Sequence, residues 1–205
     1  MFLLRQLCAI ALSGMLVLPA HAGDRALATA PGEAGYAEWS LFNVSDIDAQ
    51  SFGTEWIDNN DSASPSFGTP LTFTFTIAFG HTASLTVVDG GFGGDTFSVT
   101  NFGSGLGQTS AVPAQTYASA PELGYDFDAA LLDPGFSHAT FVLGAGSYRI
   151  GGLLAQSVTL DSLTPLNATV GAVRLTVSAV PEPATWAAML AGLTLLAAVL
   201  RRRRQ

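Results

Sequence analysis

An all-β body carried between two apolar terminal segments is the architecture that the sequence predicts, and three observations predict it. Leu71 to Phe79 alternates strictly: Leu71, Phe73, Phe75, Ile77 and Phe79 are large and apolar, and the positions between them are Thr or Ala. Only a strand puts those two sets on opposite faces, because its side chains alternate with a period of two. From Tyr36 onward, short runs of aromatic, β-branched and Thr residues are separated by Gly, Pro, Asn and Asp, the spacing of an antiparallel β-sandwich. No segment between the termini keeps helical periodicity over a dozen residues.

In chain order, Asp24 to Gly35 is rich in Ala, Gly and Pro without period, which predicts a flexible entry segment over 23–35. The β-sandwich domain spans 36–179. Trp39, Phe42, Phe52 and Trp56 belong to an N-terminal strand pair. Burying the five large side chains of the Leu71–Phe79 strand favours folding by about 10 kcal/mol before entropy. Further strands are predicted over Ala83 to Val88, Asp95 to Asn101, Ser137 to Leu143, Ser147 to Gly151, Ser157 to Leu160 and Thr169 to Ser178. Turns are marked by Asp89-Gly90-Gly91, Gly93-Gly94, Gly103-Ser104-Gly105, Asp133-Pro134-Gly135 and Gly144-Ala145-Gly146.

The termini carry addressing signals. Residues 1–22 read as a secretory signal peptide, with Arg5 as the positive region, Leu7 to Leu18 apolar, and Ala20 and Ala22 around a cut before Gly23. This implies passage through a secretion translocon and a signal peptidase. Cys8 is the single cysteine and lies inside that segment, so the mature body has no disulfide and no thiolate metal site. Residues 23–183 hold all 16 acidic groups against Arg25, Arg149 and Arg174, a net charge of −13. Such a body repels polyanions, which excludes nucleic-acid binding.

Val180 to Gln205 has three parts in strict order. Val180-Pro181-Glu182-Pro183 is stiff and extended, because each proline fixes its own φ and pushes its predecessor out of helical geometry. The seventeen uncharged residues 184–200 follow; as a helix they rise about 25 Å, the short end of what spans a hydrocarbon core. Arg201, Arg202, Arg203 and Arg204 then stop translocation and hold the C-terminus cytoplasmic. This order resembles the PEP-CTERM sorting signal of bacterial exported proteins, carried here by Pro181-Glu182-Pro183, the apolar helix and the arginines. The resemblance implies transient membrane anchoring and cleavage by a membrane-embedded exosortase. The protein then passes to the cell surface or the extracellular matrix, with its exopolysaccharide.

A second resemblance lies in the middle. Leu85 to Asp89, Gly94 to Val99, Leu106 to Ser110, Asp133 to Ser137 and Phe141 to Tyr148 follow one another in an order similar to a β-sandwich segment of other PEP-CTERM proteins, over about residues 71–178. It implies a fold that is loosely jelly-roll or CUB-like, and no activity.

Few residues suggest chemistry. Asp89 and Asp95, with Asp126, Asp128 and Asp133, carry the hard oxygen ligands that calcium prefers; Asp is equally the residue that turns require. Asp46, Asp48 and Asp58 to Asp61 lie in further acidic loops, none with the spacing of an EF-hand. No cofactor is expected, and calcium is the one candidate. His81 and His138 have no nucleophile elbow to serve, so no catalytic residue is assigned. Trp39, Trp56, Tyr117 and Tyr125 are the planar groups on which a sugar ring can stack. The expected function is therefore that of an exported, non-enzymatic surface or matrix protein. The alternative is a secreted carbohydrate-binding or hydrolytic module delivered by the same route.

Overall fold

The computed structural model describes residues 23–45, 55–59, 61–161, 164–180, 189–194 and 201–202. Ten strands are formed: β1 (Asp24–Ala26), β2 (Ser40–Asn43), β3 (Thr72–Ile77), β4 (His81–Phe92), β5 (Thr96–Asn101), β6 (Ser104–Gln108), β7 (Glu122–Gly124), β8 (His138–Leu143), β9 (Gly146–Gln156) and β10 (Val170–Ala179). One short helix, α1 (Phe127–Ala130), lies between β7 and β8. The first sheet runs β1-β3-β9-β5-β6 and the second β2-β10-β4-β7, with β8 also paired to β4. The protein is all-β.

Alternation does what the sequence requires of it in β3. Phe73, Phe75 and Ile77 face a core shared with Leu85 and Val87 of β4, Phe97 and Val99 of β5, Ile150 and Leu154 of β9, and Val173 and Leu175 of β10. Both sheets therefore bury one face against the other. Phe79 departs from the expectation. β3 ends at Ile77, and Phe79 projects from the β3–β4 turn with 94% of its surface exposed.

The segment 55–58 closes one side of the sandwich. Glu55 pairs with Leu153, Ile57 pairs with Pro70, and Ile57 also pairs with Asn43 of β2, so this segment bonds to both sheets. It brings Trp56 into the centre, where its ring stacks on Phe42 at 3.8 Å between centroids, with Phe97 edge-on at 6.2 Å. The indole lies directly on Gly152 of β9: a Cβ there would come within 2.3 Å of the ring. Gly171 of β10 makes room for Phe42 in the same way, again at 2.3 Å.

A second, smaller cluster covers the outer face of the second sheet. Val88 of β4 and Ala172 of β10 pack there against Phe127 and Ala130 of α1 and against Phe136. The distal half of β4 is thus buried on both faces, which explains why the alternation fades after Val87.

Several boundaries differ from the expectation. The start of the entry segment is held: β1 pairs in parallel with β3, Gly23 O accepts from Thr72 N, and Arg25 bonds Asp58 at 3.0 Å. Asp89 and Gly90 are strand residues, paired with Gly171 and Val170. β9 continues through Gly151-Gly152 to Gln156, whereas Ser157 to Leu160 forms no strand. Ser104 to Gln108, expected to begin in a turn, is strand β6. Phe52 and the signal segment with Ala20 and Ala22 fall outside the described residues.

The Trp56 stack sets the first prediction. Trp56→Ala is expected to lower the unfolding free energy by about 3–5 kcal/mol. Gly152→Val is expected to lower it by about 1–3 kcal/mol through overpacking. Urea denaturation of the 23–180 body reads both, and an unchanged midpoint for Gly152→Val would show that β9 yields to the indole without cost.

Candidate functional site

The five candidate calcium ligands do not converge. Asp89 and Asp95 are brought together at the β4–β5 turn, 0% and 2% exposed. Asp89 Oδ2 accepts from Gly94 N and Asp95 N, both at 3.1 Å, which holds the glycine turn closed. Asp95 Oδ1 accepts from Val158 N at 2.6 Å and ties the turn to the chain beyond β9. Asp126 caps α1, its Oδ1 accepting from Ala129 N at 3.0 Å. Asp128 pairs with Arg174 at 2.7 Å. Asp133 Oδ1 accepts from Gly135 N at 2.8 Å within its own turn. Among the described residues no three His, Cys, Asp or Glu side chains stand together as a metal-binding group. Asp46, Asp48 and Asn60 fall outside the described residues.

Asp89 is nevertheless unusual. Its Oδ1 is buried without a hydrogen-bond partner. Burial, seconded by the charge of Asp95, pushes its carboxyl well above the usual range, against the opposing pull of the Gly94, Asp95 and Gly90 amides.

The planar residues separate into two groups. Trp56 is wholly buried, and Trp39 is half-buried under the Arg174 guanidinium, 4.1 Å from its ring centre. Tyr125 is 69% exposed and Tyr117 is exposed as well. Two adjoining cavities of about 450 and 580 Å³ share Asn43, Asn59 and Tyr125. Trp39 and Arg25 line the first, and Glu122, Asn167 and Thr169 line the second. Asn43 Oδ1 is buried and has no partner. This amide groove was not legible in the sequence, because its members come from β1, β2, β7 and four separate loops. Of the histidines, His81 is exposed at the start of β4, and His138, whose backbone N donates to Ser110 Oγ at 3.1 Å, has a buried Nδ1 without a hydrogen-bond partner.

At the opposite end of the sandwich, β10 finishes at Ala179 and Val180 N donates to Gly80 O at 2.7 Å. Residues 189–194 and 201–202 are helical, and Met189, Leu190 and Leu193 are exposed. Among the described residues no helix is long and apolar enough to cross a membrane; most of 184–200 falls outside them. A family model described as the PEP-CTERM protein-sorting motif matches residues 179–204. The chain carries a PEP-CTERM sorting motif. It begins on the last residue of β10, so no linker separates the folded body from the motif. Within the motif, residues 179–180, 189–194 and 201–202 are described, whereas Pro181, Glu182, Pro183, Arg203 and Arg204 fall outside. No curated protein matches the chain.

Asp89 gives the pH prediction. The folded protein holds this proton to a higher pH than the unfolded chain, whose carboxyl titrates near 3.8. Its contribution is therefore complete in acid and is lost as pH rises through the folded value. The stability of Asp89→Asn relative to the parent should rise as pH increases from about 4 to about 8. A difference that stays flat across that range, read by thermal unfolding, would refute a retained proton.

Proposed function

We propose that this is an exported, non-enzymatic surface or extracellular-matrix protein, in which the β-sandwich is the cargo and the PEP-CTERM motif is its address. The observation that carries this reading is the motif over residues 179–204. The signal-peptide pattern at the other terminus supports it. In this reading the apolar stretch 184–200 inserts in the membrane and Arg201 to Arg204 remain on the cytoplasmic side, where they resist translocation. An exosortase then cuts near Pro181 to Pro183, and the acidic body leaves for the cell surface. Cleavage also removes four of the eight arginines, which leaves a body whose net charge keeps it dispersed among anionic polymers.

Intact-mass measurement of protein from the exporting cell tests this directly. The expected mature chain begins at Gly23 and ends between Pro181 and Pro183. A mass that still includes residues 184–204 would overturn the processing.

A second reading, favoured by the Tyr125 groove, is that the released body binds neutral polysaccharide. An exposed phenol ring beside Asn43, Asn59 and Trp39 offers a stacking face together with amide donors and acceptors. Anionic glycans are disfavoured by the net charge of the body. Tyr125→Ala should then weaken retention on an immobilised neutral glycan at least about tenfold, of the order of a stacking contact. Equal retention of variant and parent would remove the groove from consideration.

A further inference from the structure

The strand registers gather five strand ends at one end of the sandwich. Ile77, the last residue of β3, lies opposite Gly146, the first of β9. His81, the first of β4, lies opposite Ala179, the last of β10, and Ala83 lies opposite Leu143, the last of β8. The sorting motif leaves the body at this end, held to the β3–β4 turn by the Val180–Gly80 hydrogen bond.

The strands that meet at this end are poor in charge. Residues 71–88, 134–148 and 175–181 contain no Asp, Glu, Lys or Arg, on a body whose net charge is −13; the acidic groups on this side are Glu33 and Glu38, which flank Tyr36, whose hydroxyl donates to Val177 O at 3.0 Å. Asp89, Asp95 and Glu122 belong to the far end, where β4 meets β5 and β7. Phe79, at the tip of the β3–β4 turn, is the most exposed large apolar side chain among the described residues, and Val142 near the end of β8 is 78% exposed. An isolated aromatic in a turn contributes nothing to the core that would account for it.

Only Pro181, Glu182 and Pro183 separate Val180 from the apolar stretch that begins at Ala184. Even fully extended, Val180 to Ala184 spans roughly 14 Å. The headgroup layer of one leaflet is about 5–8 Å thick. With the apolar stretch inserted, this end of the sandwich is therefore held against the lipid headgroups. Aromatic side chains favour that interfacial region.

We propose that the β3–β4 turn, with Phe79 at its tip, docks on the lipid interface while the sorting helix is in the membrane, and so holds the Pro181–Pro183 segment at the bilayer surface for cleavage. The inference rests on membrane insertion of the motif, and the test separates the two. The full chain with Cys8→Ser is labelled with a polarity-sensitive fluorophore at one introduced cysteine and reconstituted in vesicles of phosphatidylethanolamine and phosphatidylglycerol that contain a quencher-bearing lipid. Gly192→Cys reports insertion. Ala145→Cys, in the β8–β9 hairpin beside Phe79, reports docking, and Leu132→Cys, in the loop after α1, reports the far half.

Quenching at 192 and 145 but not at 132, with the signal at 145 lost when Phe79→Ser is added, is the expected result. Quenching at 192 alone overturns the docking and leaves insertion standing. No quenching at 192 overturns insertion, and the docking with it. Quenching at all three positions indicates adsorption without orientation and also overturns the proposal.

Discussion

The antiparallel pairing of β4 with β10, continuous from His81↔Ala179 to Gly90↔Val170, is the constraint on which the rest of the structure depends. These two strands lie in the middle of the second sheet and carry β2 on one side and β8 on the other. Their inward residues, Leu85, Val87, Val173 and Leu175, form one wall of the main core, and their outward residues, Val88 and Ala172, receive α1. The same register fixes both ends of the molecule. At one end it delivers Val180 to Gly80, and at the other it delivers Asp89 to the turn that it closes. A one-residue slip would exchange the two faces and lose both packings.

The core is built by large aromatic rings set into space that glycines leave. Phe42 and Trp56 stack at its centre, with Phe97 edge-on to both. Gly152 and Gly171 lie on the two opposed sheets and lack the side chains that would occupy the space of the rings. A body with no cysteine has no cross-link to lower the entropy of its unfolded chain, so this close packing and the backbone ladder carry its stability. Each of the three arginines of the body adds a tie between elements: Arg25 to Asp58, Arg149 of β9 to Asp24 of β1, and Arg174 of β10 to Asp128 of α1. The Arg149–Asp24 and Arg174–Asp128 pairs are partly exposed and individually weak, whereas Asp58 is buried. Their value lies in placement, because two of them hold β1, the shortest strand of its sheet's edge, against its neighbours.

The two ends of the sandwich are built from different residues. The end from which the sorting motif departs has turns built of Gly, Ala, Ser and Phe, and the far end holds the buried Asp89–Asp95 pair and the acidic β7 region. The Tyr125 groove also opens on the far half, clear of the motif.

The sequence by itself determined the features whose physics is local. The alternation of Leu71 to Ile77 required a strand with its aromatic face buried, and the prolines, apolar run and arginines after Val180 required an address rather than a further domain. It also determined the acidity of the body and the absence of disulfides. Only the tertiary structure decided what depends on partners distant in the chain. The strand predicted to end at Gly151 runs on through Gly152 to Gln156, and Trp56, about a hundred residues earlier, occupies the space of the side chain that Gly152 lacks. Asp89 reads as a turn residue, yet it lies in a strand with one oxygen orphaned, because β10 extends the ladder past it. Asp126, Asp128 and Asp133 read together as a ligand set and serve instead as a cap, an ion pair and a turn. Phe79 continues an alternation that the sheet does not continue, since β3 ends where β9 begins, and that is what leaves an aromatic side chain exposed beside the exit of the sorting motif.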